Sequence, residues 1–300
     1  MIVGAGLAGL ITAHAFPNMP VIEAQPEPRE VHKALLRFRS RAVSDLVGVS
    51  FKEVTVRKGV WDDGWVAPNI ASANRYSKKV TGRVIDRSIW NLDAAQRYIA
   101  PEDLYARLID AVGNRITWGT AANYSNPPTD VVINTAPLPI VLEQLGISID
   151  AQFERAGITV ERMRVKGAAV YQTVYFPSPS TTLYRASMTG DMLICEFAGT
   201  PSEGWMTDVL DAFGLRGGCD IEMLERVHQR YGKIVPIDED LRRALVVKLT
   251  REHNIFNIGR FATWRNILLD DVVQDAAVVK RLINASAYER HINISRNLIK

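Results

Sequence analysis

Three glycines near the start of the chain are spaced to hold a phosphate. Met1, Ile2 and Val3 form a short apolar run. Gly4, Gly6 and Gly9 follow in a Gly-x-Gly-x-x-Gly pattern, with Leu7 and Ala8 inside it. Residues 10–15 then read as a helix, so the pyrophosphate of a dinucleotide would meet the N-terminus of that helix, where backbone N–H groups and the helix dipole both favour an anion. Each glycine has its own task. Gly4 makes the tight turn, Gly6 lets the phosphates approach the backbone, and Gly9 lets the helix pack on the strand. A second apolar run, Pro20, Val21 and Ile22, ends at Glu23 with Ala24 behind it. A carboxylate at that distance from the glycines is placed to accept hydrogen bonds from a ribose.

Other side chains suit the same ligand or its substrate. Arg37 and Arg39 alternate, so both face one side of an extended chain, where they can offset pyrophosphate charge. Thr135, Ala136 and Pro137 end a β-branched run, and ligands of open α/β sheets collect at such carboxyl ends. Gly259 and Arg260 end another apolar run. Asp270, Asp271 and Val272 open a helix whose positive end can face a cofactor, with N-terminal capping as the competing use of the two acids. For a substrate, Arg185 beside Tyr184 can clamp a carboxylate or phosphate through two parallel hydrogen bonds, worth about 1.5–3 kcal/mol. Trp61, Trp65 and Trp264 can line an aromatic pocket or pack in the core, and Arg265 can meet an anionic group. The two cysteines, Cys195 and Cys219, and five scattered histidines lack metal-ligand spacing, so no metal is expected. No acid–base pair is legible, which leaves the catalytic side chains unassigned.

These residues need elements to position them. Residues 1–23 read as strand, helix and strand, with Pro17 and Pro20 stopping the helix. Residues 24–29 are a proline-interrupted loop, and 34–39 are a strand or a helix start. Residues 50–57 alternate as a half-buried strand does, 58–65 read as an aromatic loop, and 69–79 are polar. Residues 101–112 form a helix with Pro101 and acids in its first turn and Leu104, Leu108, Ile109 and Val112 on its apolar stripe. Strands follow at 115–118 and 129–134, the second a buried parallel one. From 157 to 198 the pattern is antiparallel β, with strands at 168–176, 181–187 and 192–197. Helices are predicted at 205–213 and 220–231, then a strand at 254–258 and a helix from Asp270 to about residue 284.

The bulk properties agree with such a protein. Three hundred residues, 47% hydrophobic and 23% charged, suffice for one large or two medium domains with a full core. A net charge of +3 permits an anionic substrate or nucleic acid without requiring one. No apolar run reaches the roughly 18–20 residues of a membrane span, and no signal peptide precedes the glycines, so a cytoplasmic protein without membrane contact is expected.

Taken together, the chain resembles the FAD-dependent amine oxidase and UDP-galactopyranose mutase superfamily. Three stretches carry the likeness: Val3-Gly-Ala-Gly-Leu-Ala-Gly9 with Glu23; Asp130-Val-Val-Ile-Asn-Thr-Ala-Pro137; and Gly259-Arg-Phe-Ala-Thr-Trp-Arg265 leading to Asp270-Asp-Val-Val273. Their order separates this reading from an NAD dehydrogenase. The resemblance implies FAD as cofactor and an α/β fold: a discontinuous, Rossmann-like FAD-binding domain of the GR2 type (1–45, 98–148 and 245–300) with an inserted, mainly antiparallel β substrate domain (46–97 and 149–244). The family's Gly-Gly pair after the ribose acid is missing from residues 24–33, and the short chain implies a trimmed substrate domain. A second resemblance, through residues 34–40 and the compact length, is to small flavoproteins of bacterial viruses. It implies a place in thymine hypermodification and, for such a protein, the host cytoplasm.

The activity these resemblances imply is FAD-dependent oxidation of a C–N bond in an amine or amino-acid substituent. On a modified thymine of phage DNA the net outcome would be that of a lyase, leaving an aminomethyl group. The alternatives are a mutase-like isomerase using reduced flavin without net redox, and a non-catalytic flavin-binding scaffold. The implied partner is a small molecule or a modified nucleobase. DNA itself would require base flipping and a basic track, for which Lys78, Lys79, Arg83 and Arg87 are the nearest candidates. The oligomeric state is left open.

Overall fold

Apolar runs punctuated by glycine and proline become fourteen strands and eight α-helices in a computed structural model, which describes residues 1–30, 36–84, 89–216 and 220–285. Strand β1 (Ile2–Val3) enters helix α1 (Leu7–Ala15) through the glycine turn, and β2 (Val21–Ile22) returns beside it. A short strand β3 (Arg37–Phe38) and helix α2 (Ala42–Val47) lead to the hairpin of β4 (Lys52–Trp61) and β5 (Trp65–Val66). Helix α3 (Ile70–Thr81) opens on a capping box in which Asn69 and Ser72 satisfy each other's backbone N–H groups. Then come β6 (Ala95–Ile99), α4 (Leu104–Val112), β7 (Ile116–Thr117), β8 (Val132–Asn134) and α5 (Leu138–Gln144). Four long strands follow, β9 (Arg155–Val165), β10 (Val170–Tyr175), β11 (Leu183–Gly190) and β12 (Met192–Ala198), with α6 (Trp205–Phe213) and β13 (Ile221–Ile234) after them. Helix α7 (Glu239–His253), strand β14 (Ile255–Asn257) and helix α8 (Leu269–Asn284) end the described chain.

Two sheets organise these elements. The first has five strands in the order β14-β8-β1-β2-β7, every pair parallel. Its strands are short and apolar because helices cover both faces. On one side Leu10, Ile11, Leu104, Leu108 and Val279 pack against Ile2, Ile133 and Phe256. On the other, Leu138, Val141, Leu245 and Leu249 pack against Val132 and Ile255. The second sheet has nine strands, ordered β13-β9-β12-β11-β10-β4-β6-β3 with β5 on β4, and only the β10–β4 pair is parallel. Helix α6 covers one face through Trp205, Val209 and Ala212, and α3 covers part of the other through Ala73, Tyr76 and Val80. The sheet curls: Arg37 on edge strand β3 reaches Thr173 on β10 and Thr189 on β11. A parallel sheet joined to a curled, mainly antiparallel one is the α/β arrangement that the sequence anticipates.

Several local expectations are corrected. Residues 220–231 are not a helix but most of β13. Glu222, Glu225 and Arg226 suit a helix by propensity, yet each meets an opposite charge, Arg164, Arg162 and Glu161, on the neighbouring β9. Cross-strand pairing of this kind outweighs local preference. The polar stretch 69–79 is a helix, α3, and the aromatic loop at 58–65 is largely the β4–β5 hairpin. The helix expected from Pro101 begins at Leu104, with Asp103 at its N-cap. Ala34, Leu35, Arg87, Cys219, His32 and His291 lie outside the described residues. Cys195 is buried with its thiol free. Among the described residues no helix is long and apolar enough to cross a membrane, and no group of three or more His, Cys, Asp or Glu is placed to hold a metal ion.

Candidate functional site

Because the five strands are parallel, the carboxyl ends of β1, β8 and β14 lie side by side, bringing Gly4, Thr135 and Gly259 together from three distant parts of the chain. Gly4 has φ +100°, and a Cβ there would lie 2.5 Å from Thr135 Oγ1. Thr135 locks the turn, its N–H and its hydroxyl both donating to the Val3 carbonyl at 3.0 and 2.7 Å. A Cβ on Gly9 would sit 1.9 Å from the Gly4 carbonyl oxygen, so helix and turn touch backbone to backbone. Gly259, at φ +95°, closes against the Ala8 methyl group, which an added Cβ would approach to 3.0 Å. Gly6 differs. Its φ of −72° suits any residue, and a Cβ would meet nothing within 4 Å. Gly4 and Gly9 are therefore required by the protein's own packing, whereas Gly6 borders open space at the head of α1. No side chain caps that helix, so its first-turn N–H groups face the opening. A pyrophosphate fits this cradle.

Glu23 stands at the end of β2, next to the cradle. One carboxylate oxygen accepts from Ala5 N at 2.7 Å and the other from Gln25 N at 2.9 Å, which fixes the group while each oxygen keeps a lone pair for a further donor. Ala24 follows it, exposed. Behind the Thr135–Pro137 turn lies a buried network that the sequence did not disclose. Asn134 accepts from the Tyr124 hydroxyl and from Ala136 N, and donates to the Ala136 carbonyl and to Asn257 on the adjacent strand. Burial pushes the Tyr124 hydroxyl well above its ordinary range, keeping it a donor at neutral pH. Asn134 stood inside the recognised run. Its tie to Asn257, 123 positions away, had no sequence signal.

The remaining expected cofactor residues divide into two groups. Asp270, only 5% exposed, accepts from Arg39 N, Ser40 N and the Ser40 hydroxyl, while Asp271 accepts from Leu268 N and from the Arg39 guanidinium. The acids that open α8 thus hold residues 39–40, and Val272 is core. Arg260 donates to the carbonyls of Ile267 and Gly232, tying the end of the parallel sheet to β13. Arg37 and Arg39 do not share one side as expected, because β3 ends at Phe38: Arg39, past the pleat, turns to the acids of α8, while the Arg37 guanidinium lies on the curled sheet.

That sheet borders a cavity of about 490 Å³ whose lining includes Lys52, Glu102, Arg162, Tyr171, Thr189 and Met192. On the same sheet, but not in the cavity lining, Tyr184 and Arg185 both bind Glu196: the hydroxyl at 3.1 Å, the guanidinium through two N–H groups. Glu196 is 2% exposed in its side chain. Burial alone would raise its carboxyl, but Arg185, with Lys233 and Tyr184, holds it below the usual range. Lys233 stands over the Tyr184 ring at 3.6 Å. The other expected substrate residues lie elsewhere. Trp61 stacks edge-on with Trp65 and packs with the α6-covered core. Trp264, 2% exposed, packs on Phe153 and donates to the Val235 carbonyl, leaving no ring face open. Arg265 pairs with Asp275 on α8.

No protein-family model matches this chain, and no curated protein does. Solved structures match its fold. A reduced UDP-galactopyranose mutase aligns with a TM-score of 0.71 at 14% identity, over 99% of this chain and 95% of its own. Klebsiella pneumoniae HpxO, solved with FAD and uric acid, gives 0.54 at 13% identity, over 98% of this chain and 82% of its own. CtdE, solved with FAD and a substrate, gives 0.54 at 13% identity with the same coverage, 98% and 82%. At such identities the likeness is one of architecture: the parallel sheet and curled antiparallel sheet of this chain form a fold of the kind found in FAD-binding flavoproteins.

Proposed function

We propose that the protein is an FAD-dependent oxidoreductase whose cofactor lies across the carboxyl ends of the parallel sheet. One observation carries the reading. Gly4 is closed by the Thr135 hydroxyl and Gly9 by the Gly4 carbonyl, while Gly6 faces open space at the uncapped head of α1, beside a carboxylate already oriented by Ala5 and Gln25. In this reading the pyrophosphate takes the first-turn N–H groups of α1, Glu23 takes the ribose hydroxyls, and the turns at Thr135–Pro137 and at Gly259 border the rest of the cofactor. FAD, when bound, supplies two-electron transfer. Residues 1–45, 98–148 and 245–300 form the cofactor part, and 46–97 with 149–244 the substrate part.

The substrate reading is narrower: the chain oxidises a C–N bond of an amine or amino-acid substituent bound in the cavity. Support comes from the lining, which mixes the carboxylates of Glu30, Glu102 and Asp191 with the cations of Lys52 and Arg162, as a substrate bearing both charges needs. These residues bind and orient it, and the apolar wall of Ile99, Met192 and Ile194 excludes water from the reacting carbon. The resemblance to small phage flavoproteins extends the reading to an amino-acid substituent on thymine, with a lyase outcome. A second reading, isomerisation of a nucleotide sugar on reduced flavin, is favoured by the end-to-end match with the mutase.

The absorption spectrum of the purified protein tests the cofactor. Flavin bands are expected as isolated or after reconstitution with FAD, and their absence after reconstitution would sink the proposal. Peroxide released under air with an amine or amino-acid-modified nucleoside supports the oxidase. Turnover of a UDP-sugar only with dithionite supports the isomerase instead.

A further inference from the structure

The curled sheet holds a cation that the cofactor reading leaves unused. Arg37 donates from Nη1 to Thr173 Oγ1 at 2.7 Å and from Nη2 to Thr189 Oγ1 at 3.2 Å, and its Nε is buried without a hydrogen-bond partner. No carboxylate is within ion-pair distance of it among the described residues. The acid nearest in influence, Glu196, is already held by both Arg185 and Tyr184. Arg185 and Arg97 lie close enough to disfavour the charge on Arg37. Burial, then these two neighbours, lower its pKa to about 10, which still leaves it charged at neutral pH. A half-buried guanidinium with five donors, two hydroxyl partners and surplus positive charge around it is costly unless an anion completes it.

The surroundings say where such an anion enters. Thr189, which accepts from Arg37, also lines the cavity, as does Leu36, the residue before it. Arg37 is therefore one hydrogen bond behind the cavity wall. The Thr173 hydroxyl, accepting from Arg37, lies 3.1 Å from the Ser187 hydroxyl, so the guanidinium also orients the donors next to it.

The geometry points to an oxyanion subsite for the substrate, centred on Arg37 with Thr173 and Thr189, that takes a carboxylate or phosphate group entering from the cavity. It deepens the reading of that cavity as the substrate site and rests on it. Arg185, the arginine that the sequence offers for this task, is neutralised by Glu196. Arg37, which the sequence offers to the pyrophosphate, takes its place.

The test uses the FAD-loaded protein, so that the glycine cradle is filled, with sodium acetate and sodium phosphate as probes against sodium chloride at equal ionic strength. Dissociation constants are read from the shift of the melting temperature and from flavin absorbance. At least one oxyanion should bind better than chloride, and Arg37→Met should weaken it by about tenfold or more, equivalent to about 1.4 kcal/mol. Arg107→Met, removing an exposed charge on α4, should leave it unchanged. Acetate preference identifies a carboxylate subsite, and phosphate preference a phosphate one. Arg37→Lys keeps the buried charge if Arg37→Met does not fold, and should lose acetate binding more than phosphate binding. Equal binding of oxyanions in wild type and both variants overturns the inference, as does loss of flavin from the Arg37 variants, which would make it a cofactor residue. If the wild type takes up no flavin, the functional reading fails. The difference between wild type and Arg37→Met in anion binding still reports on Arg37 alone.

Discussion

At the scale of single residues, the glycines separate what the fold needs from what a ligand needs. Gly9→Ala would place a methyl group 1.9 Å from the Gly4 carbonyl, backbone against backbone, with no flexible group to yield. We expect a loss of about 3 kcal/mol or more, in line with other large backbone clashes, visible as a lowered urea midpoint without FAD. Gly6→Val meets no protein atom and sits at an allowed φ, so the flavin-free variant should melt within about 0.5 kcal/mol of wild type yet retain no FAD. Flavin content equal to wild type in Gly6→Val would remove the cofactor from this cradle. These roles were legible because the motif fixes backbone geometry through residues close in sequence. The roles of Arg37 and Arg185 were not. Alternation showed that Arg37 and Phe38 face opposite ways, but only the curl of the second sheet decides that Arg37 meets Thr173 and Thr189. Glu196, which claims Arg185, is eleven residues away across a hairpin.

At the scale of elements, α8 is the piece whose placement depends most on a few polar bonds. Asp270 takes both backbone N–H groups of residues 39–40 from a position 5% exposed, so Asp270→Ala removes the charged acceptor of two part-buried bonds. The expected cost is about 2–3 kcal/mol by chemical denaturation, since charged acceptors of this kind carry most of the bond's worth. Asp271 is more exposed and its pair with Arg39 is surface-bound, so Asp271→Ala should cost about 1 kcal/mol or less. Equal losses from the two would show that capping, and not the tie to residues 39–40, governs the helix. Helices with a strong apolar stripe, such as α4 and α6, could be read from the sequence. Strand β13 could not, because its glutamates and arginines earn their place only once Arg162, Arg164 and Glu161 of β9 lie opposite them. Helix α3 escaped notice for a related reason: its polar face dominates the composition, and the buried face of Ala73, Tyr76 and Val80 is thin.

At the scale of the molecule, the two sheets are joined too closely to unfold apart. The core beneath the parallel sheet includes Phe38 from β3 and Ala100 just after β6, both at the far edge of the curled sheet, with Tyr98 and Phe51 packed on it. Polar ties run the other way: Arg39 to the start of α8, Arg260 to the Gly232 carbonyl of β13, Trp264 to Val235. A cofactor held only by the parallel sheet should then stabilise the whole chain, because binding to the native state alone shifts the common equilibrium. With FAD at about one hundred times its dissociation constant the gain is about 2.7 kcal/mol. Calorimetry should show one transition that moves upward as a unit with FAD, and the same scan of Gly6→Val should not move. Two transitions, with FAD raising only one, would mean that the shared core around Phe38 is too weak to couple the sheets. The curled sheet, and the Arg37 subsite on it, would then be organised independently of the cofactor.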